Sequence, residues 1–315
     1  MSEFSLIDLL HQHIRIARDD VVLGAGDDCA IVDVPAGFQL AVSTDTLIAG
    51  RHFPLDTAPH AIGFKSLAVN LSDLAAMGAT PTWVSLALTL PDQNTEWLDD
   101  FAKGFAELAA KHNVQLIGGD TTSGKLSITV TVMGLLPTGQ GLQRSGAKVG
   151  DDLYISTSEG LGAAGFELSH SELGKRPSLD YPHPRVTLGQ ELLNQATSCI
   201  DVSDGLLADL GHILKASNVG AEIQLDKLPF SKLLESLSYA DRLKLALCAG
   251  DEYELCFTAK PEQSNKITAL AEQLDLTLTK IGSMTADTGI NLYKRNDERY
   301  DLSLLGEHGY NHFAQ

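Results

Sequence analysis

The stretch Asn70-Leu-Ser-Asp-Leu-Ala-Ala-Met-Gly-Ala79 constrains this chain more than any other. Leu67, Leu71 and Leu74 recur four and three apart and Gly78 is placed to stop a helix, so residues 60–78 are expected to be helical. Asp73 lies one turn from that stop, where its charge opposes the negative pole of the helix dipole. Its neighbours Ala75, Ala76 and Gly78 are small enough to let a ligand reach the backbone. Two readings fit such an acid: an exposed position on a solvated face, or service to a group outside the helix.

Other acids recur at comparable places. Leu23-Gly-Ala-Gly-Asp-Asp-Cys-Ala-Ile-Val32 puts Asp27 and Asp28 between a glycine turn and an apolar strand-like run. Gln39–Thr46 reads as a strand whose end delivers Ser43, Thr44 and Asp45, hard oxygen donors of the kind magnesium takes. His52 follows, and a lone histidine is more often structural. Residues 83–90 form a strand, 95–112 a helix with Trp97, Phe101, Phe105 and Leu108 inward, and 115–122 a strand ending Gly118-Gly-Asp-Thr-Thr122. Residues 4–18 read as an amphipathic helix, and 127–136 as a strand. The Gly-rich segment 139–150 reads as a linker, and its Arg144 is either solvated or a phosphate clamp.

In the second half, strands are expected at 151–156, 221–225, 276–282 and 289–293. Helices are expected at 160–169, 186–197, through 216, 231–247 and 262–275. Asp201-Val-Ser-Asp-Gly205 repeats the Ser-Asp theme of 70–79 ahead of a helix, and Gly250-Asp-Glu-Tyr-Glu254 is a further acidic turn running into a strand. For any one of these, a plain surface turn explains the residues equally well. Together they form a set of carboxylates that would repel one another and shift in pKa unless cations neutralise them.

Composition narrows what those acids serve. The net charge is −18, which disfavours nucleic acid and anionic membrane as partners and admits an anionic substrate only through metal cations. No apolar run approaches the ~20 residues of a membrane span, and MSEFSLIDLL is no signal or transit sequence, so a cytoplasmic protein is expected. Cys29, Cys199, Cys248 and Cys256 lack CxxC spacing, which argues against zinc and a disulfide framework; they read as reduced core or near-core thiols. Without Cys or His at ligand spacing the metal is a hard one, Mg2+ before zinc. Walker A, protein-kinase and GxSxG signatures are absent. The residues therefore point to a magnesium-dependent, nucleotide-using enzyme with an unusual phosphate site.

GDDCA at 26–30, STDT at 43–46, NLSDLAAMGA at 70–79, GGDTT at 118–122, RSGAKVGD at 144–151, DVSDGL at 201–206 and GDEYEL at 250–255 closely resemble the thiamine-monophosphate kinase family. That family belongs to the ATP-binding superfamily of aminoimidazole ribonucleotide synthetase. The resemblance implies an α/β (α+β type) fold of two domains, each a mixed sheet packed with helices. Residues 1–138 would bind ATP and Mg2+ and pair in a homodimer, with ATP at the dimer interface; residues 139–315 would complete the substrate site. It implies γ-phosphoryl transfer from ATP to thiamine monophosphate. Carried over by motif, Asp28, Ser43, Thr44, Asp45, Asp73, Asp120, Asp201 and Asp204 are Mg2+ ligands, with Asp28, Asp45, Asp73, Asp120 and Asp204 central to catalysis. Gly119, Asp120, Arg144 and Ser203 contact ATP, and His52, Asp251, Glu252 and Tyr310 the thiamine phosphate. Where the family usually reads Gly-Glu-Asp, this chain reads Gly250-Asp251-Glu252, which leaves open which acid meets the thiazolium. The selenophosphate-forming relatives need a reactive Cys near the N-terminus, and the first 28 residues have none.

Overall fold

The computed structural model describes residues 9–306 except 11 and 171–173, so Tyr310 lies outside the described residues. The chain divides into two compact units: one of the chain up to Leu74 with Ala79–Gly141, the other of Ala75–Gly78 with the chain from Leu142 onward.

In the first unit, β1 (Val21–Leu23) and β2 (Ile31–Val32) pair antiparallel and hold the Gly24–Ala30 loop between them. A four-stranded mixed sheet follows from β3 (Phe38–Ile48), β4 (Thr80–Leu90), β5 (Gln115–Ser123) and β6 (Ser127–Pro137), in the order β3-β6-β4-β5 with only β4 and β5 parallel. Helix α1 (Pro59–Met77) ends where Gly78 turns to φ 72° and the Ala79 N–H reaches back to the Leu74 carbonyl, the Gly stop expected. α1 is buried almost all round, Lys65, Ser66, Asn70 and Ser72 included.

Helix α2 (Thr95–His112) is capped by Asn94, whose side chain accepts the Trp97 N–H, and stops at Asn113 in the left-handed region. The two helices approach through reciprocal glycines. A Cβ at Gly63 would lie 2.0 Å from the Phe101 carbonyl oxygen, and one at Gly104 1.9 Å from that of His60. The expected helix over 4–18 is helical at 9, 10, 12 and 13 and has no regular secondary structure at 14–18, its earliest residues lying outside those described.

The second unit is built on a seven-stranded mixed sheet, in the order β13-β12-β9-β11-β7-β10-β8. These strands are β7 (Asp152–Thr157), β8 (Ala196–Asp201), β9 (Gly220–Gln224), β10 (Leu255–Ala259), β11 (Thr277–Thr285), β12 (Gly289–Tyr293) and β13 (Arg299–Tyr300). Every residue of β7 and β10 is buried, as central strands require. Its helices are α3 (Ala163–Ser169), α4 (Pro177–Asp180), α5 (Val186–Leu192), α6 (Leu206–Ser217), α7 (Tyr239–Cys248) and α8 (Ser264–Leu274). A buried cluster joins Leu153 and Ile155 of β7 to Leu206, Leu210 and Ile213 of α6 and Leu243 and Leu247 of α7.

Two expectations fail here. Residues 231–247 are not one helix: 232–234 form a 3-10 turn, and Ser238 then caps α7 by accepting the Asp241 N–H. The helix over 186–197 stops at Leu192 because β8 already starts at Ala196. The segment 139–150, read as a linker, does contain the division between the units after Gly141, and its later part is packed: Leu142 and Ala147 are buried and the Gln143 carbonyl accepts the Cys199 N–H. Among the described residues no helix is long and apolar enough to cross a membrane.

Candidate active site

The first unit gathers two of its acidic motifs around one cavity of about 990 Å3, lined by Asp27, Asp28, Ser85, Gly118, Gly119 and Asp120 among others. Asp28 is exposed on the β1–β2 loop and Asp120 within β5, and no described cation pairs with either. Cys29 lies exposed in the same lining, against the expectation of a core or near-core thiol, while Cys199 and Cys256 are buried and Cys248 is half-buried. The two glycines before Asp120 have different duties. A Cβ at Gly119 would sit 1.8 Å from the Leu86 carbonyl oxygen, so β4 itself forbids a side chain there. At Gly118 a Cβ would meet nothing within 4 Å, which leaves open backbone facing space.

Strand β3 and helix α1 bring together a second group. The Ser43 hydroxyl donates to the Asp73 carboxylate at 2.5 Å, and the Asp45 N–H donates to Asn70 Oδ1 at 3.1 Å. Successive side chains of a strand point to opposite faces, so Thr44 is turned away from Ser43 and Asp45. Its hydroxyl bonds that of Thr131 at 2.9 Å on the exposed face. His52 uses Nδ1 to accept the Ile48 N–H at the end of β3.

In the second unit the DVSDG and GDEYE motifs are zipped together by their backbones. The Asp251 N–H donates to the Ser203 carbonyl at 2.9 Å, Tyr253 N–H to Val202 at 2.8 Å, and Val202 N–H to Glu254 at 2.8 Å. Gly250 permits this, since a Cβ there would lie 2.2 Å from the Ser203 carbonyl oxygen. Asp251 and Tyr253 take left-handed φ values of 64° and 50°, conformations that persist only where surrounding contacts impose them. Asp201, Ser203, Asp204, Asp251 and Glu252 thus share one pair of loops. The likeness of 70–79 to 201–206 is not structural: Asp73 lies inside α1, whereas Asp204 precedes Gly205 and the start of α6.

The two acids at 251 and 252 differ. Glu252 accepts the Gly162 N–H at 2.9 Å, and desolvation, with the nearby Glu254 charge, pushes its carboxyl up to about 8. Asp251 accepts the Tyr253 hydroxyl at 3.1 Å. Both line a cleft with Ser158, Tyr181, His183, Arg185 and Glu254. Arg144 is exposed; its carbonyl accepts the Ser217 hydroxyl and no described residue bonds its guanidinium.

Sequence reading missed Asp209, Arg185 and Glu254. Asp209, in the first turn of α6, is buried and accepts the N–H groups of Ser203 and Asp204, both at 3.0 Å. Burial first, then the charge of Asp204, raises it to about 7, against the lowering pull of those N–H donors. An acid shortly after a glycine at a helix start was its available signal.

Among the described residues no three His, Cys, Asp or Glu side chains converge as a ready-made metal cage. The donors present are carboxylates and hydroxyls in ones and twos around open space. That set fits magnesium, which keeps waters and takes one or two carboxylates plus substrate phosphates.

Two units, each a mixed sheet packed with helices and each carrying a group of acidic motifs, define an α/β two-domain class. The AIR synthase related protein models match in both halves, the N-terminal domain over residues 26–136 and the C-terminal domain over 148–295. Thiamine-monophosphate kinase of Escherichia coli (strain K12) is 45% identical over 99% of this chain and 98% of its own length. The crystal structure of thiamine-monophosphate kinase from Stenotrophomonas maltophilia K279a superposes with a TM-score of 0.86 at 46% identity, covering 93% of this chain and 96% of that one. AaThiL complexed with AMPPCP and TMP matches at 26% identity and a TM-score of 0.76, over 99% of this chain and 97% of that chain. The chain belongs to the thiamine-monophosphate kinase family.

Proposed function

We propose that this protein transfers the γ-phosphoryl group of ATP to thiamine monophosphate, giving thiamine diphosphate, by direct in-line attack. The carrying observation is the full-length relation to thiamine-monophosphate kinases, which spans both units and every acidic loop described. The relative complexed with AMPPCP and TMP supports the same pair of substrates.

The acceptor is already an anion near neutral pH, so no general base has to be found among the carboxylates. The obstacle is to bring two polyanions together, and magnesium, when bound, supplies charge neutralisation and alignment. Asp28, Ser43, Asp45, Asp73 and Asp120 of the first domain and Asp201 and Asp204 of the second are the groups to hold it, with Thr44 contributing through its main chain because its hydroxyl faces away. Gly118 and Gly119 let ATP lie close to β5, Ser203 contacts it from the DVSDG loop, and Arg144 stabilises charge on the phosphates. Asp251 meets the thiazolium cation, since Glu252 is committed to the Gly162 turn; His52 and Tyr310 complete the acceptor contacts. Residues 1–138 form the nucleotide and dimerisation domain and residues 139–315 the acceptor-binding one, in a cytoplasmic homodimer. The exposed apolar face of β3, with Phe38, Leu40 and Val42 outward, supports the pairing.

ADP release measured across candidate acceptors tests the reading. Release with ATP and thiamine monophosphate, and none with formylglycinamidine ribonucleotide or without acceptor, is expected. Labelled protein surviving a single-turnover quench would instead establish a phosphoenzyme and end the direct route.

A further inference from the structure

Two charged residues stand apart from the roles above and yet form part of the acceptor cleft: Arg185, at the end of the proline-marked Pro182-His-Pro-Arg185 run, and Glu254, which closes the GDEYE turn. Their side chains are only 11% and 7% exposed. Glu254 Oε2 accepts Arg185 Nε at 2.7 Å and the Ser156 hydroxyl at 2.5 Å; Oε1 accepts Arg185 Nη2 at 2.5 Å and the Ser158 N–H at 3.2 Å. Arg185 Nη2 also donates to the Ser158 hydroxyl at 2.8 Å, and Ser156 in turn accepts the Leu255 N–H at 2.9 Å. One bidentate pair thereby ties the end of β7, the segment entering α5 and the start of β10.

We infer that Arg185 and Glu254 are positioning residues for the acceptor site, locking the turn that presents Asp251 to the cleft. This rests on the reading that the cleft takes thiamine monophosphate. Left-handed backbone at Asp251 and Tyr253 carries a conformational cost, and it holds because both ends of the turn are fixed. Backbone bonds to Val202 and Ser203 fix one side, and the Glu254 carboxylate, with four donors on it, fixes the other. Lysine cannot replace the planar fork, since it offers a point charge in place of two parallel N–H donors.

A structural pair and a positioning pair differ in what they move. Arg185→Lys keeps the charge and loses the fork, while the double variant Arg185→Met with Glu254→Met replaces a buried ion pair by apolar groups, a swap that often leaves stability unchanged. In both, KM for thiamine monophosphate should rise about tenfold or more while KM for ATP stays within about twofold, and the double variant should melt close to the parent. Unchanged KM for thiamine monophosphate, or equal changes toward both substrates, in variants that melt normally would overturn the inference alone. A parent enzyme that releases no ADP on thiamine monophosphate would overturn the acceptor reading and this inference with it.

Discussion

Asp73 sits four residues before the end of α1 and accepts the Ser43 hydroxyl at 2.5 Å, so the acid that opposes its helix dipole is held by a neighbouring strand. Asp73→Asn keeps that acceptor and removes the charge. It should lower turnover by about a hundredfold or more with little change in Tm, because what is lost is stabilisation of charge and not packing. Near-parental turnover at low millimolar magnesium would contradict the assignment. Gly118 and Gly119 differ in what a side chain would meet: nothing within 4 Å at Gly118, and the β4 backbone at Gly119. Gly118→Ala should fold and lose ATP affinity, whereas Gly119→Ala should lose soluble, folded protein, since its Cβ would fall 1.8 Å from the Leu86 carbonyl oxygen.

Glu252 gives a pH signature. Its carboxyl, ordinarily near 4.5, is raised to about 8 in the folded state, so the unfolded chain ionises first as pH rises. Its contribution is therefore fully present below about 4.5 and is lost progressively up to about 8. Glu252→Gln retains an acceptor for the Gly162 N–H and cannot ionise. Its Tm should match the parent near pH 4.5 and exceed it increasingly toward pH 8, by calorimetry across that range.

At the scale of elements, α1 was legible because its stop at Gly78 is local, and α2 because Trp97, Phe101, Phe105 and Leu108 recur at helical spacing. What spacing could not reveal is that α1 and α2 cross glycine against carbonyl, since Gly63 and Gly104 lie 41 positions apart and either alone reads as a weak spot in a helix. Gly104→Ala should destabilise the protein by about 3 kcal/mol or more, read from urea unfolding, because backbone and not a flexible side chain stands 1.9 Å away. The second half was less legible. The run 231–247 has helical residues throughout, and Ser238 restarts the helix through a cap that competes with continuation.

For the whole molecule, β3 is an edge strand whose outward side chains are Phe38, Leu40 and Val42, at 43%, 42% and 58% exposure. An apolar edge of this kind is normally covered in a working protein. Val42→Arg should convert the proposed homodimer to a monomer in sedimentation and abolish turnover with it. A parental sedimentation coefficient would remove this face from the interface.

The sequence by itself determined the α/β character, the hard-oxygen nature of the candidate ligands and, through motif order, the family, because these depend on residue type and local spacing. Only the tertiary structure decided how those residues divide their work. It turned Thr44 away from Ser43, and within one cleft lining it gave Glu252 the Gly162 N–H and Asp251 the Tyr253 hydroxyl. It also recruited Asp209, Arg185 and Glu254 as supports. Adjacent residues of one chemistry are equivalent in a sequence, and they separate only when the pleat of a strand or a left-handed turn sends them to different partners.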